Sequence, residues 1–278
     1  MPFRLKKQES VNQGLRRVFA EQYMQAIAHL RKRGEQRQEG IHEARKNFKR
    51  IRALLRLLRR DMPEVYAVEN KRLRDLSALL SPYRDADAML ETMQKLQQSL
   101  PGLIPDGMLK AATTTLRITR DQLLEREPGY DSIADRVIQG LIASRDNLEA
   151  WPLPEEGDHL RTLLSKTQKR ARKAARAARH SDEVEAFHNW RKKSKDLQYQ
   201  AQLLQDTKAA LPAPLREQLK ALTESLGDHH DLCVFEELLR RPEVFNDRRH
   251  AQHVADVVAQ RRRQLEQETR RIGKKMFS

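Results

Sequence analysis

The sequence predicts an all-α fold. Only 5% of the 278 residues are aromatic, and helix formers such as alanine, leucine, glutamate, glutamine, lysine and arginine outnumber the β-branched and aromatic residues that fill strands. Apolar residues also recur at three- and four-residue steps, which is the spacing of one helix face. Hydrophobic residues make up 38% of the chain, enough to supply a core at this length.

A fixed spacing relates two halves of the chain. Residues 41–46 (IHEARK) return as residues 187–192 (FHNWRK), an offset of 146 positions. Three leucines and an aspartate in residues 73–85 have counterparts in residues 219–231 at the same offset. A period sustained over separate segments indicates duplication of a structural unit.

Proline and glycine mark the ends of the predicted helices, because neither residue continues a helix well. Residues 151–157 (WPLPEEG) are interpreted as the junction between the two repeats. Other breaks are expected near residues 34–40, 61–63, 81–82, 99–102, 127–129, 226–227 and 241–242. The predicted helices cover residues 10–33, 38–60, 64–81, 84–98, 106–126, 131–149, 158–180, 182–206, 213–226, 229–240 and 244–272.

The net charge of +15 is concentrated in three segments. Residues 41–60 hold eight basic residues and one acidic residue, residues 160–179 hold eight and none, and residues 187–204 hold four and one. Such clustering indicates a binding site for a polyanion rather than a generally basic surface.

Two predicted helices carry cations opposite an apolar stripe. Side chains three or four residues apart are neighbours on a helix, so each cationic row repels itself unless an anion lies along it. The first row comprises His42, Arg45, Lys46, Lys49, Arg52 and Arg56, opposite Ile41, Ala44, Phe48, Ile51, Leu55 and Leu58. The second comprises His188, Arg191, Lys192 and Lys195, opposite Phe187, Trp190, Leu197, Ala201 and Leu204.

A third basic row lies on the predicted helix over residues 158–180. Its cations compensate for Gln198 and Gln202, which replace the last two cations of the first row in the second half. No interleaved carboxylate is expected to neutralise the rows, whereas a face kept for solubility is mixed in charge. A solvated face remains the alternative for any single row. The third row comprises Lys166, Lys169, Arg170, Lys173 and Arg176, opposite Leu164, Ala171, Ala174, Ala175 and Ala178.

Histidine among cations can act as a base, a metal ligand or a phosphate donor. His42 has no companion ligands, and its neighbours repel a divalent metal, so donation to phosphate fits best. A second shared motif, at the expected helix breaks, places Arg84 and His230 at equivalent positions, each followed by an aspartate. A turn into a helix offers backbone N–H groups to an anion. We expect each aspartate to cap a helix or to orient a basic group.

The motifs at residues 42–52 and 80–85, repeated at residues 187–195 and 226–231, resemble the paired signatures of the CHAD family, the conserved histidine α-helical domain. The resemblance implies two pseudo-symmetric antiparallel helical bundles around a central basic channel or groove that binds inorganic polyphosphate. For stand-alone bacterial members it also implies association with polyphosphate granules.

On this basis residues 1–278 form a single domain with repeats over 10–150 and 157–278. Some relatives carry an N-terminal triphosphatase domain with a Glu-x-Glu-x-Lys strand, which this sequence does not show. We therefore expect binding without catalysis, with no cofactor and no metal. The resemblance assigns polyphosphate contact to His42, Arg45, Lys46, Lys49, Arg52, Arg84, Lys169, Arg170, Lys173, His188, Arg191, Lys192, Lys195 and His230, and Arg56 extends the first row.

Three further expectations follow from the sequence. With neither an apolar leader nor a membrane span in view, the protein is expected in the cytoplasm, on polyphosphate granules. Cys233, the single cysteine, is expected to be a small buried hydrophobe. His42 and His188 are expected to tighten anion binding as the pH falls through about 6.5.

Two other functions compete with polyphosphate binding. An HD-type metal phosphohydrolase would use His230 and Asp231, but the equivalent pair in the first half is Arg84 and Asp85, and arginine does not ligate metals. A nucleic-acid-binding protein would also have a pI near 10.1, but few aromatic residues are present to stack on bases. Nucleic acid is therefore kept as a secondary partner.

Overall fold

All regular secondary structure is helical in the computed structural model, which describes residues 3–99, 101–125, 129–245 and 247–277. The predicted fold class is confirmed, and within these ranges no helix is long and apolar enough to cross a lipid bilayer. Residues 100 and 127–128, in two of the predicted breaks, lie outside the described residues. The α-helices are α1 (Val11–Leu30), α2 (Arg37–Leu57), α3 (Pro63–Leu79), α4 (Ser81–Ser99), α5 (Asp106–Glu125), α6 (Tyr130–Asp146), α7 (Leu160–Arg179), α8 (Val184–Leu203), α9 (Ala213–Leu239) and α10 (Arg248–Phe277).

Local chemistry sets the first helix ends. The Ser10 hydroxyl accepts a hydrogen bond from the backbone N–H of Gln13 at 3.2 Å, and the Gln13 side chain accepts one from the Ser10 backbone at 3.4 Å. This capping box satisfies N–H groups that have no partner inside α1. Pro63 begins α3, where its missing N–H is not needed. Gly34, between α1 and α2, has a φ of +57°, a conformation that favours glycine.

The apolar stripes predicted for α2, α7 and α8 all face the interior. Every residue of the three stripes exposes 5% of its surface or less. α1 packs on α2, α7 packs on α8, and α2 packs on α8. Because burial of one leucine or phenylalanine side chain contributes about 1.5–3 kcal/mol, these stripes fix the rotation of each helix about its axis. The cationic faces are therefore turned away from the core.

Two clusters of buried apolar residues stabilise the fold, and each draws on both halves of the chain. The larger runs from Phe3 through Leu226 to Phe277. The smaller joins residues of α4 and α5, such as Leu109, to residues of α9 and α10, such as Phe235. The halves are thus packed through shared cores, which brings α2 and α4 next to α8 and α9.

The predicted break after Leu226 is wrong, because α9 continues without interruption through Gly227. Leu222 and Leu226 are fully buried, and their packing outweighs the roughly 1 kcal/mol by which glycine disfavours a helix interior. The equivalent part of the first half does break, since α3 ends at Leu79 and α4 begins at Ser81. The backbone N–H groups after Gly227 lie inside α9, so the anion-binding turn predicted there is also wrong.

The segment expected to join the repeats is packed against α1. Trp151 and Leu153 are buried, and the Trp151 ring meets the Phe19 ring edge-on with centroids 5.0 Å apart. The Asn12 side-chain amide donates a hydrogen bond to the Leu153 carbonyl oxygen at 2.9 Å. The segment therefore holds α7 in place rather than acting as a free linker.

Candidate functional site

The cationic faces of α2 and α8 meet beside α4, and Lys49 lies where they meet. The pKa of Lys49 falls to about 8, chiefly because surrounding protein displaces water, and also because Arg191, Arg45, Arg84 and Lys195 repel its charge. The same side chain keeps a solvent-accessible surface. The Lys49 ammonium group is therefore open to solvent and lies close enough to four other cations to be repelled by them. We call Lys49, Arg45, Arg84, Arg191 and Lys195 the central cluster.

The central cluster combines residues at equivalent positions in the two halves. Arg45 and Lys49 on α2 correspond to Arg191 and Lys195 on α8 at the offset of 146 residues. Because α2 packs on α8, the two rows lie together in space instead of facing apart into solvent. Arg84 on α4 completes the cluster.

In each row the charge of an aspartate stabilises the protonated form of the first arginine. Burial lowers the pKa of Arg45, and the charge of Asp85 opposes that shift. Burial likewise lowers the pKa of Arg191, and Asp231 opposes it. The two aspartates are related by the same offset, and Asp231 lies inside α9, where it caps no helix end. Asp231 accepts a hydrogen bond from Nζ of Lys95 at 3.1 Å, so of the two predicted roles partnership with a basic group is the one that Asp231 has.

Some guanidinium N–H donors of the site have no hydrogen-bond acceptor among the residues that the structure describes. Arg45 donates to the Ser77 carbonyl oxygen and to the Ser81 hydroxyl, both at 2.9 Å, which ties α2 to the turn between α3 and α4. Within the described residues, Nη1 of Arg84 and Nε of Arg191 are buried and have no hydrogen-bond partner. An unsatisfied buried donor costs about 1–3 kcal/mol, and an anion in the groove would satisfy both.

Two histidines face each other beside Arg191. The rings of His188 and His230 lie 5.3 Å apart between centroids. Burial is the main cause that lowers the pKa of His230 to about 4, and Arg191 and His188 add to it. Burial and Lys192 lower the pKa of His188. Both rings are therefore neutral near pH 7, where they offer N–H donors to an anion rather than positive charge.

His42, their counterpart on α2, is more exposed. Its pKa is lowered chiefly by burial and then by Arg84. Nε2 of His42 lies 4.0 Å from a carboxylate oxygen of Glu43. The expected tightening of binding through pH 6.5 therefore moves to lower pH, because all three histidines hold a proton less readily than free imidazole does.

A family model described as the CHAD domain matches residues 17–240. This chain belongs to the CHAD family. The predicted resemblance is thus confirmed over most of the chain, and the central cluster lies inside the matched region.

Solved structures support the CHAD fold. The crystal structure of the CHAD domain from the plant Ricinus communis has a TM-score of 0.59 and 18% identity, covering 94% of this chain and 91% of the plant chain. PptA from Streptomyces chartreusis has a TM-score of 0.64 and 16% identity, covering 97% of this chain and 99% of PptA. At these identities the likeness concerns the fold alone. No protein in the search of curated proteins matches this chain.

The prediction that no carboxylate neutralises the cationic rows of this CHAD domain is wrong. Glu43 and Glu185 lie on the same helix as the lysine with which each pairs, whereas Asp196 comes from a neighbouring helix. The exposed pairs, of Lys46 and Lys192, contribute little because water screens them. Within the described residues, the three ion pairs that lysine or arginine side chains of the rows form are Lys46 with Glu43 at 3.2 Å, Lys192 with Glu185 at 3.8 Å, and Arg56 with Asp196 in close contact. Arg84, which lies outside the rows, pairs with Glu91 at 2.9 Å.

The structure separates the three α7 candidates. Arg170 is partly buried near the end of α2, where burial and the charges of Arg59 and Arg60 lower its pKa. Lys169 and Lys173 are exposed, and no hydrogen bond or ion pair in the described ranges connects them to the central cluster. Sequence reasoning did not select Arg59 and Arg60, although their spacing from Arg56 continues the cationic row. In the structure they follow the last turn of α2.

His229, which directly precedes the His230 and Asp231 of the HD alternative, contacts residues outside the candidate site. Its ring is buried, stacks on Phe187 at 4.6 Å between centroids, and lies 3.0 Å through Nε2 from an oxygen of Glu266. Cys233 is buried beside it as predicted, and burial raises the pKa of its thiol to about 12. In the part of the chain that the structure describes, no group of three or more histidine, cysteine, aspartate or glutamate side chains is placed to hold a metal ion.

Proposed function

We propose that this CHAD domain binds inorganic polyphosphate in the groove lined by the central cluster, and that it acts by binding rather than by turnover. The observation that carries the proposal is the surrounding of Lys49, a solvent-contacting ammonium group among four other cations. Like charges held together destabilise the empty site. A polyanion that fits the groove relieves this repulsion.

The proposed roles follow from the chemistry of each side chain. Arg84 and Arg191 each have one buried guanidinium nitrogen without a hydrogen-bond partner in the described part of the chain, and each would donate a charge-assisted hydrogen bond to a phosphate oxygen. Lys49 and Lys195 act as point charges, and His188 and His230 donate neutral N–H groups at the same end of the groove. We propose that the outlying candidates, Lys46, Lys169, Lys173 and Lys192, contact a chain that leaves the groove, since none of them is buried.

The shape of the cation row favours a linear polyanion over a single phosphate. Arg45 and Arg56 lie eleven residues apart on α2, which corresponds to roughly 16 Å along a helix. The proposed site consists of arginine, lysine and histidine side chains, and none of them is the tyrosine, phenylalanine or tryptophan on which nucleobases stack. Binding of polyphosphate requires cations but no aromatic side chains. Location on polyphosphate granules belongs to the same proposal.

Replacement of the central cations tests the proposal. In a variant with Arg45, Lys49, Arg191 and Lys195 all changed to alanine, we expect affinity for long-chain polyphosphate to fall by a factor of 1,000 or more, because each charge-assisted contact contributes about 1.5–3 kcal/mol. Filter binding with duplex DNA and pyrophosphate as competitors gives the measurement.

A matched control variant changes Lys110, Arg117, Arg136 and Lys208, which are exposed cations outside the site, to alanine. It removes the same charge and is expected to lose only a small part of the affinity. The proposal fails if both variants bind equally well. It also fails if duplex DNA displaces polyphosphate at equal phosphate concentration.

A further inference from the structure

A second group of cations surrounds the C-terminal end of α2. Arg56, Arg59 and Arg60 line a cleft together with Lys166 and Arg170 of α7. We call these five residues the outer cluster. Arg59 and Arg60 lie close enough to Arg170 to lower its pKa, so like charges are held together here as they are in the central cluster.

The outer cluster has more positive charge than its surroundings neutralise. Arg56 is paired with Asp196, and its Nε is buried without a hydrogen-bond partner in the described structure. Arg59, Arg60 and Lys166, like Arg170, take part in no ion pair within the described ranges. Cations just beyond the last turn of α2 also interact favourably with the negative end of its helix dipole. That effect does not explain Lys166 and Arg170, which lie within α7.

Arg52 and Asp196 connect the outer cluster to the central cluster. Burial lowers the pKa of Arg52, and Arg56 lowers it as well. Asp196, which follows Lys195 directly on α8, acts on Arg52 and on Arg170. Seven residues separate Lys49 from Arg56, or roughly 10 Å along α2. The cations therefore continue from one cluster to the other without a gap in the row.

We propose that the outer cluster continues the polyphosphate site, so that a long chain bound at the central cluster also contacts Arg59, Arg60, Lys166 and Arg170, whereas a short chain does not reach them. This inference rests on the proposed function and adds a preference for long chains. The second contact becomes intramolecular once the first has formed, which raises the affinity for a chain long enough to make both.

Chain-length dependence tests this inference. The variant Arg59→Gln/Arg60→Gln/Lys166→Gln removes three cations that lie outside the central cluster. The control variant Lys110→Gln/Arg117→Gln/Arg136→Gln removes the same charge from exposed positions of α5 and α6. Isothermal titration calorimetry with tripolyphosphate and with long-chain polyphosphate is carried out on both variants and on the unchanged chain, with circular dichroism to check folding.

We expect the outer-cluster variant to lose at least about tenfold in affinity for long chains, equivalent to one charge-assisted contact, and to keep its affinity for tripolyphosphate within about twofold. Its salt dependence for long chains is expected to flatten by about 0.7 per lost phosphate contact. The inference is overturned if long-chain affinity falls no further than in the control, or if both ligands lose affinity equally. Failure of the unchanged chain to bind either ligand would instead refute the proposed function.

Discussion

Two corners of the proposed site hold residues at equivalent positions but differ in their charge and in the contacts that support them. In the first corner, formed by His42 and Arg84, the arginine is permanently charged and is paired with Glu91 at 2.9 Å. In the second corner, formed by His188 and His230, the two rings face each other and are neutral near pH 7. One corner thus offers constant charge, and the other offers charge that depends on pH.

The corners also differ in what holds them in place. Phe187 and His229 stack on each other, and each directly precedes a histidine of the second corner, so this stack sets the approach of the two histidines. A carboxylate oxygen of Glu266 lies 3.0 Å from Nε2 of His229 and 2.6 Å from Nη1 of Arg262, and all three side chains are buried or nearly so. In the first corner the carboxylate of Glu91 is partly exposed, and the Tyr83 ring packs edge-on against the Tyr130 ring.

Removal of the buried carboxylate is expected to have the largest effect. Glu266→Ala leaves the buried His229 ring without its carboxylate partner, whereas Arg262 keeps its pair with Glu236 at 2.8 Å. An unsatisfied buried polar group costs about 1–3 kcal/mol of unfolding free energy. In the first corner, Glu91→Ala removes a partly exposed partner of Arg84 and is expected to cost no more than about 1 kcal/mol. Urea denaturation of the two variants gives both values, and equal losses would contradict the difference between the corners.

Lys49, between the corners, is expected to make binding sensitive to alkaline pH. Its pKa is lowered to about 8, so the empty site loses this charge as the pH rises through that value. Affinity for polyphosphate should therefore fall about tenfold between roughly pH 7 and pH 9. Lys49→Arg keeps its charge over this range and should flatten the decrease. A variant that follows the same curve as the unchanged chain would exclude Lys49 as the titrating group.

The sequence was sufficient to predict most of the helices and the rows of cations because both depend on local periodicity, but it divided α9 wrongly at Gly227. The stripes opposite His42 and His188 are buried, and the fixed offset identified Arg45 and Arg191 as equivalents. Asp196, the partner of Arg56, could not be found in this way, because 140 residues separate the two and only the packing of α2 on α8 joins them. The lowered pKa values could not be predicted from the sequence either, since burial depends on tertiary contacts.

The second corner is expected to respond to acid. Burial lowers the pKa of His230 to about 4, Arg191, His188 and His229 add to the decrease, and Asp231 opposes it. We expect a bound anion to raise this pKa, because negative charge favours the protonated ring. Binding should therefore tighten several-fold as the pH falls from about 6 towards 4, below the range of free imidazole. The variant His188→Gln/His230→Gln should lose this increase. Titrations across that range, on protein shown to be folded at each pH, provide the measurement.

The matched variant in the first corner is His42→Gln, which leaves the His188 and His230 pair intact. It should retain most of the acid response, because His42 is more exposed and lies near Glu43. A loss in this variant as large as that in the double variant would show that the two corners do not differ in pH sensitivity.

The smallest expected effect concerns the helix that carries the second corner. α9 runs straight through Gly227, and a Cβ added there meets no atom within 4 Å. Gly227→Ala should therefore raise the free energy of unfolding by about 0.5–1 kcal/mol, since alanine favours a helix interior and no contact opposes it. Gly273→Ala is the control, because its Cβ would lie 2.5 Å from the Trp190 ring and should destabilise the protein. A destabilising Gly227→Ala would mean that the second half bends at this position, as the first half does between α3 and α4.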